Sequence, residues 1–236
     1  MSVNRFEMTP VMLCAPPDGL MPDLAALDGA TVIVDIRQDW ATPTAFEDAQ
    51  AVIDHRSAAT GATFFRVGMP DDDTGQDALT RLIALRPTGF VLSGCGGAAD
   101  IQRFDVMLRV AEAEHGIEPG SIAVFAEVGE HLAFFVPLAS LRDISRRLKA
   151  VIFDSESFAG ATASEAVNTA ASRAGAPSLL ARAAAVLAAR QAGIACYELL
   201  QDNSDDVTAT RKIAIVDGFS GVIARNTAQL AALQVP

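Results

Sequence analysis

Ile122-Ala-Val-Phe-Ala126 runs straight into Glu127, and Ala150-Val-Ile-Phe153 runs straight into Asp154, with Glu156 two residues further on. Both runs are short and continuously apolar rather than alternating. That is the pattern of strands covered on both faces, as in a parallel sheet between helices. Six more runs read the same way: Val11–Ala15, Thr31–Ile36, Thr63–Val67, Phe90–Leu92, Ile194–Tyr197 and Ile213–Val216. Helical spacing lies between them. Thr44–Ala59 repeats Phe46, Ala49, Val52 and Ile53, and Asp77–Leu85 repeats Leu79, Leu82 and Ile83. Ala98–His115 and the alanine-rich Ser178–Gln191 continue the alternation. Two connections are thin: Met21–Asp28 is short, and Gln201–Arg211 is polar. Eight strand–helix alternations without a linker predict one α/β domain over residues 1–236. Its expected form is a single (β/α)8 TIM barrel with eight parallel strands; a doubly wound open sheet is the alternative.

Composition narrows the function. The chain has 29 acidic and 18 basic residues, a net charge of -11, and only two lysines, Lys149 and Lys212. No basic stripe is present, which argues against nucleic acid and anionic membrane surfaces. The three cysteines, Cys14, Cys95 and Cys196, are far apart and form no CxxC, which suits a reducing cytoplasm. No signal-peptide pattern opens the sequence, and no apolar run reaches the roughly 20 residues needed to span a bilayer.

In a parallel α/β protein the carboxyl ends of the strands carry the active site. The residues expected there are Pro16 and Asp18, Arg37 and Asp39, Arg66, Ser93 and Cys95, Glu127 and Glu130, Asp154 with Glu156 and Ser157, Glu198, and Asp217. Carboxylates grouped in this way suit Mg²⁺ or Mn²⁺, and an arginine among them suits a developing enolate. Arg66 and Glu127 are therefore the candidate catalytic residues, and Glu127, Asp154 and Glu156 the candidate metal ligands. Acidic residues after strands also cap helices, a bland role open to each of them. Lys149 and Lys212 precede their expected strands, so Schiff-base chemistry is not expected. Ser93-Gly-Cys-Gly-Gly97 is more simply a tight turn than an anion cradle.

These residues resemble the HpcH/HpaI aldolase and citrate lyase beta-subunit-like superfamily. Arg66-Val-Gly is similar to its Arg-Val-Asn, and Arg86-Pro-Thr-Gly-Phe-Val-Leu92 to its Lys-Pro-Asp-Gly-Ile-Val-Leu. Ile122-Ala-Val-Phe-Ala-Glu127 resembles the strand ending in Ile-Glu-Thr. Leu148-Lys-Ala-Val-Ile-Phe-Asp-Ser-Glu-Ser-Phe158 resembles Leu-Asp-Ala-Leu-Val-Phe-Gly-Ala-Glu-Asp-Leu. Leu180–Ile194 resembles the helix before strand seven, and Lys212-Ile-Ala-Ile215 stands for Lys-Leu-Ala-Ile-His-Pro. The resemblance implies a metal-dependent lyase that breaks or forms a carbon–carbon bond beside a carbonyl, through an enolate. Its substrate would be an acyl-CoA or a small hydroxy or oxo acid, and the protein a homo-oligomer, a trimer or hexamer. No C-terminal lid domain is expected. The departures are specific. The family's metal-binding Asp falls on Ser157, with Asp154 in place of its Gly and Glu156 kept. Pro-Lys after strand four reads Ser93-Gly94, and His-Pro-Ser-Gln after strand eight reads Val216-Asp-Gly-Phe219. They leave a second possibility, a catalytically inactive relative kept as a binding or assembly subunit.

Overall fold

The computed structural model describes residues 12–15, 30–37, 42–56, 61–136, 140–163, 175–202 and 206–234. Strands and helices alternate: β1 Met12–Ala15, β2 Thr31–Asp35, α1 Pro43–Arg56, β3 Thr63–Val67, α2 Asp73–Ala84, β4 Gly89–Leu92, α3 Ala98–Glu114, β5 Ala123–Val128, β6 Leu148–Asp154, α4 Ser155–Thr162, α5 Ala176–Ala192, β7 Ala195–Leu199, α6 Val207–Val216, β8 Gly221–Ala224 and α7 Thr227–Gln234. The expected α/β class is borne out. Each strand pairs in parallel with the next, and β2 to β8 make one continuous curled sheet. The backbone of β1 pairs in parallel with β2, and Met12 and Leu13 lie opposite Ile223 and Ala224 of β8.

Side chains alternate across a strand, so the sheet has two faces with separate cores. The concave face is filled by Ile33, Phe64, Val91, Ala123, Phe125, Ala150, Ile152, Leu199 and Ile223. Phe64 and Phe125 stack there at 4.3 Å between ring centroids. The outer face packs on the helices through Val34, Phe65, Phe90, Phe153, Phe104, Ala185 and their neighbours. Helix starts are fixed by acids: Asp72 caps α2, Asp154 caps α4 and Asp206 caps α6. The Asp71–Asp73 segment is thus the start of a helix.

One expected strand is a helix. Ile213–Val216 belongs to α6, with Ala214 buried and Ile213, Ile215 and Val216 exposed. The eighth strand is Gly221–Ala224, buried throughout. A short apolar run fits either period, and the Asp206 cap on the amide of Ala209 settles it as helix. The polar Gln201–Arg211 connection therefore does carry a helix. Two expected positions move with this correction. Asp217 ends α6 and precedes β8, so it lies at the opposite end of the sheet from the strand carboxyl ends. Lys212 lies within α6. The residues that follow strand eight are Arg225-Asn226-Thr227-Ala228, not Val216–Phe219. The expected Met21–Asp28 connection, Pro16, Asp18, Asp39 and Trp40 lie outside the described residues.

Candidate functional site

The concave core of the sheet has a polar top layer, and strand alternation builds it. Two residues beyond an inward apolar side chain, the next inward position is Asp35 after Ile33, Arg66 after Phe64, Ser93 after Val91, Glu127 after Phe125, Asp154 after Ile152 and Arg225 after Ile223. Six strands thus deliver six polar side chains to one rim, at their carboxyl ends.

Arg66 is the centre of this layer and is only 1% exposed. Its Nε donates to Glu127 Oε2 at 2.6 Å and its Nη2 to Glu127 Oε1 at 2.5 Å, a bidentate pair. The same Nη2 lies 3.5 Å from Asp154 Oδ2, and Nη1 donates to Asp35 Oδ2 at 2.7 Å. Ser93 Oγ donates to Glu127 Oε1 at 2.9 Å. Arg37 grips Asp35 through Nε and Nη2, both at 2.9 Å to their nearer oxygens, and reaches Ser93 Oγ at 3.3 Å. On the far side, Arg225 Nη2 sits 3.4 Å from Asp154 Oδ1 and 3.4 Å from Glu156 Oε2. Burial alone would raise the Asp35 pKa, but the hydrogen bond from Arg37 and the charges of Arg66 and Arg37 outweigh it and hold the carboxyl below its ordinary value. Burial would lower the Arg37 pKa, and its bond to Asp35 raises it instead.

Asp154 and Glu156 do not share a face. The strand stops at Asp154, whose Oδ1 accepts from the amides of Glu156 and Ser157 and turns the chain into α4. Ser157 Oγ donates to Asp154 Oδ2 at 2.9 Å. Glu156 is left on the first turn with its side chain 58% exposed. The close approach of the two strand ends depends on Gly129. Its φ is +154°, and a Cβ there would lie 2.3 Å from the carbonyl oxygen of Asp154.

The structure therefore gathers Arg66, Glu127 and Asp154 and leaves Glu156 outside. Sequence reasoning missed Asp35 and Arg225 as rim residues. Counting inward positions by twos from Ile33 and Ile223 would have found both. Glu198 points outward from β7 and is paired with Arg182 of α5, away from the rim. One of its oxygens is buried without a hydrogen-bond partner among the described residues. Cys95 is buried, and desolvation pushes its thiol up to about 12, so it is not a nucleophile at neutral pH. His131 and Glu130 are exposed.

A divalent cation does not fit these donors as they stand. Both Glu127 oxygens accept from Arg66, and both Asp154 oxygens accept from the start of α4. Among the described residues no group of three or more His, Cys, Asp or Glu side chains is placed to hold a metal.

No protein-family model matches this chain, and no curated protein sequence matches it. Solved structures do. The citrate lyase beta subunit of Mycobacterium tuberculosis, complexed with oxaloacetate and magnesium, superposes with a TM-score of 0.72 at 16% identity, over 96% of this chain and 96% of that one. RipC from Yersinia pestis gives 0.68 at 20% identity, over 95% and 93%. Malate synthase of Haloferax volcanii, in its pyruvate and acetyl-CoA ternary complex, gives 0.73 at 18% identity, over 98% and 71%. What is shared is the fold. These neighbours include lyases and a malate synthase, and the structures named contain magnesium or acetyl-CoA in some cases; this chain has their α/β architecture along nearly its whole length. No helix among the described residues is long and apolar enough to cross a membrane.

Proposed function

We propose that this chain is a divergent carbon–carbon lyase on a complete eight-stranded (β/α)8 barrel. It breaks or forms a bond beside a carbonyl in a small hydroxy or oxo acid or an acyl-CoA. The observation that carries this reading is Arg66: a guanidinium 1% exposed at the strand carboxyl ends, held on three sides by Glu127, Asp35 and Asp154. In the cleaving direction the substrate hydroxyl gives its proton to solvent and becomes the carbonyl of one product, while the electrons of the broken bond form the enolate of the other, which then takes a proton from water. A fixed positive charge in a buried site stabilises that oxyanion without reorganising as the charge develops. Arg66 supplies the charge, and Glu127 and Ser93 fix its orientation. Of its three carboxylate partners Asp35 is the most exposed, at 18% against 5% for Glu127 and 4% for Asp154. A substrate carboxylate or carbonyl therefore enters beside Asp35 and Arg37 and exchanges for Asp35 on Nη1. The magnesium of the structural neighbours is not part of this step, because the donors here do not fit it. A homo-oligomer, trimer or hexamer, goes with this reading.

The test is cleavage of malyl-CoA, citramalyl-CoA and 4-hydroxy-2-oxo acids by the full chain, followed by release of the carbonyl product. Turnover that Arg66→Met abolishes supports the proposal. No turnover of any of these supports the second reading, an inactive relative kept as a binding or assembly subunit. One observation favours that reading: the rim's arginines and buried carboxylates are already paired with one another.

A further inference from the structure

We infer that the Arg66 guanidinium is the resident cation of the rim, seated between Glu127 and Asp154 as the positive charge these carboxylates would otherwise take from a divalent ion, so that this chain takes up no Mg²⁺ or Mn²⁺ unless Arg66 is removed. The inference concerns the site of the proposed lyase, but turnover plays no part in it.

Three observations carry it. The first is position. Glu127 lies opposite Ile152 on the neighbouring strand, so Glu127 and Asp154 are the last inward residues of two adjacent strands. A single nitrogen, Arg66 Nη2, faces an oxygen of each, at 2.5 Å and 3.5 Å. One positive atom between two carboxylates is the arrangement that a small hard cation makes with carboxylate and water oxygens.

The second is charge. The layer holds three guanidiniums, Arg37, Arg66 and Arg225, against three carboxylates with little exposure, Asp35, Glu127 and Asp154. The sum is zero, and the exposed Glu156 brings it to minus one. Adding a divalent ion to this set would leave positive charge uncompensated in a layer largely shielded from water, which is unfavourable. Replacing Arg66 with a neutral residue leaves two guanidiniums facing three carboxylates, two of them buried.

The third is oxygen occupancy. Ser157, where the resembled family carries an acid, donates a hydroxyl to Asp154 Oδ2 rather than offering a carboxylate. The amides of α4 take Asp154 Oδ1. These neutral donors leave lone pairs on the Asp154 carboxylate, whereas both Glu127 oxygens accept from the Arg66 guanidinium, so it is Arg66 whose removal frees the pair for an ion.

The experiment uses the full chain as wild type, Arg66→Met, and Arg66→Met combined with Glu127→Gln. Mn²⁺ alone is the probe. Free Mn²⁺ is followed by its electron paramagnetic resonance signal, and thermal unfolding is followed with Mn²⁺ and with EDTA. The expected result is no depletion of the signal by wild type, one bound Mn²⁺ per chain in Arg66→Met with affinity at least about tenfold above wild type, and loss of that ion in the double variant. Mn²⁺ is expected to raise the melting temperature of Arg66→Met alone, as a ligand of the folded state must. If Arg66→Met does not fold in EDTA, recovery of its native circular dichroism on adding Mn²⁺ supports the inference equally. Binding of Mn²⁺ by wild type overturns it. So does an Arg66→Met chain that neither binds Mn²⁺ nor refolds with it.

Discussion

Replacing Arg66 with methionine keeps most of the side-chain volume and removes the charge. In the native rim Glu127 has both oxygens on that guanidinium, and its side chain is 5% exposed. After the substitution the donor left to it among the described residues is the Ser93 hydroxyl at 2.9 Å. Asp154 keeps its bonds to the start of α4, and Asp35 keeps Arg37. The dominant cost is therefore one buried carboxylate without its counter-ion. Breaking a buried pair by removing one partner costs about 3–5 kcal/mol. At 2–4 °C per kcal/mol for a chain of this size, that is a fall in Tm of roughly 10 °C. The pH dependence distinguishes this cause from a packing defect. A carboxylate buried without a counter-ion has its folded-state pKa raised, so it is tolerated while protonated and destabilises as pH rises through that value. Wild type behaves in the opposite sense, because the lowered Asp35 pKa gives stability above the ordinary value of 3.8 that is lost as pH falls through the folded value. The two stability curves must converge toward acid. Urea unfolding followed by circular dichroism in EDTA, at pH 8 and pH 5, measures this. A deficit below about 1 kcal/mol at pH 8, or an equal deficit at both pH values, would refute the reasoning.

A second buried pair, remote from the rim, should behave as a staple. Glu112 is fully buried and accepts from Arg147 through both oxygens at 2.5 Å and from the amides of Gly120 and Ile122. Burial would raise its pKa, but those bonds hold it below the ordinary value of 4.5, so its contribution is present above that value and fades as pH falls. Glu112→Gln should cost about 3–5 kcal/mol at pH 7 and flatten the acid limb of the Tm profile; an unchanged limb would count against the pair. Gly129→Ala should shift the Asp154 end of β6 and lower turnover more than it lowers Tm, since its Cβ would meet the Asp154 carbonyl at 2.3 Å; unaltered kinetics would contradict that. Cys95 and Cys196, whose thiols burial pushes up to about 12, should resist iodoacetamide at pH 8 in native protein, as peptide mass mapping would show.

The alternation of apolar runs and helical patterns made the fold class legible, because both periods are written in every residue of an element. Thr63–Val67 matches the sequence expectation residue for residue, and α1, α2, α3 and α5 all fall on the expected helical segments. The eighth strand was not legible. Ile213-Ala-Ile-Val216 is more apolar than Gly221-Val-Ile-Ala224, and four residues are too few for the helical period to show. That error hid Arg225 and misplaced Asp217. At the rim, the strand ends announced Arg66, Glu127 and Asp154. Which of them meet was not legible, because that depends on register between strands. Glu156 shows the limit: two residues from Asp154, it would share its face if the strand continued, but Asp154 caps α4 and the period changes between them.

The central claim is that an arginine, with no divalent ion, carries the positive charge of this site. Turnover of malyl-CoA, citramalyl-CoA and 4-hydroxy-2-oxo acids by the full chain in excess EDTA tests it most directly. Carbonyl product should form from at least one of them in EDTA, unchanged by added Mg²⁺, and Arg66→Met should abolish it. Product that appears only when Mg²⁺ is supplied, or none under either condition, would contradict it.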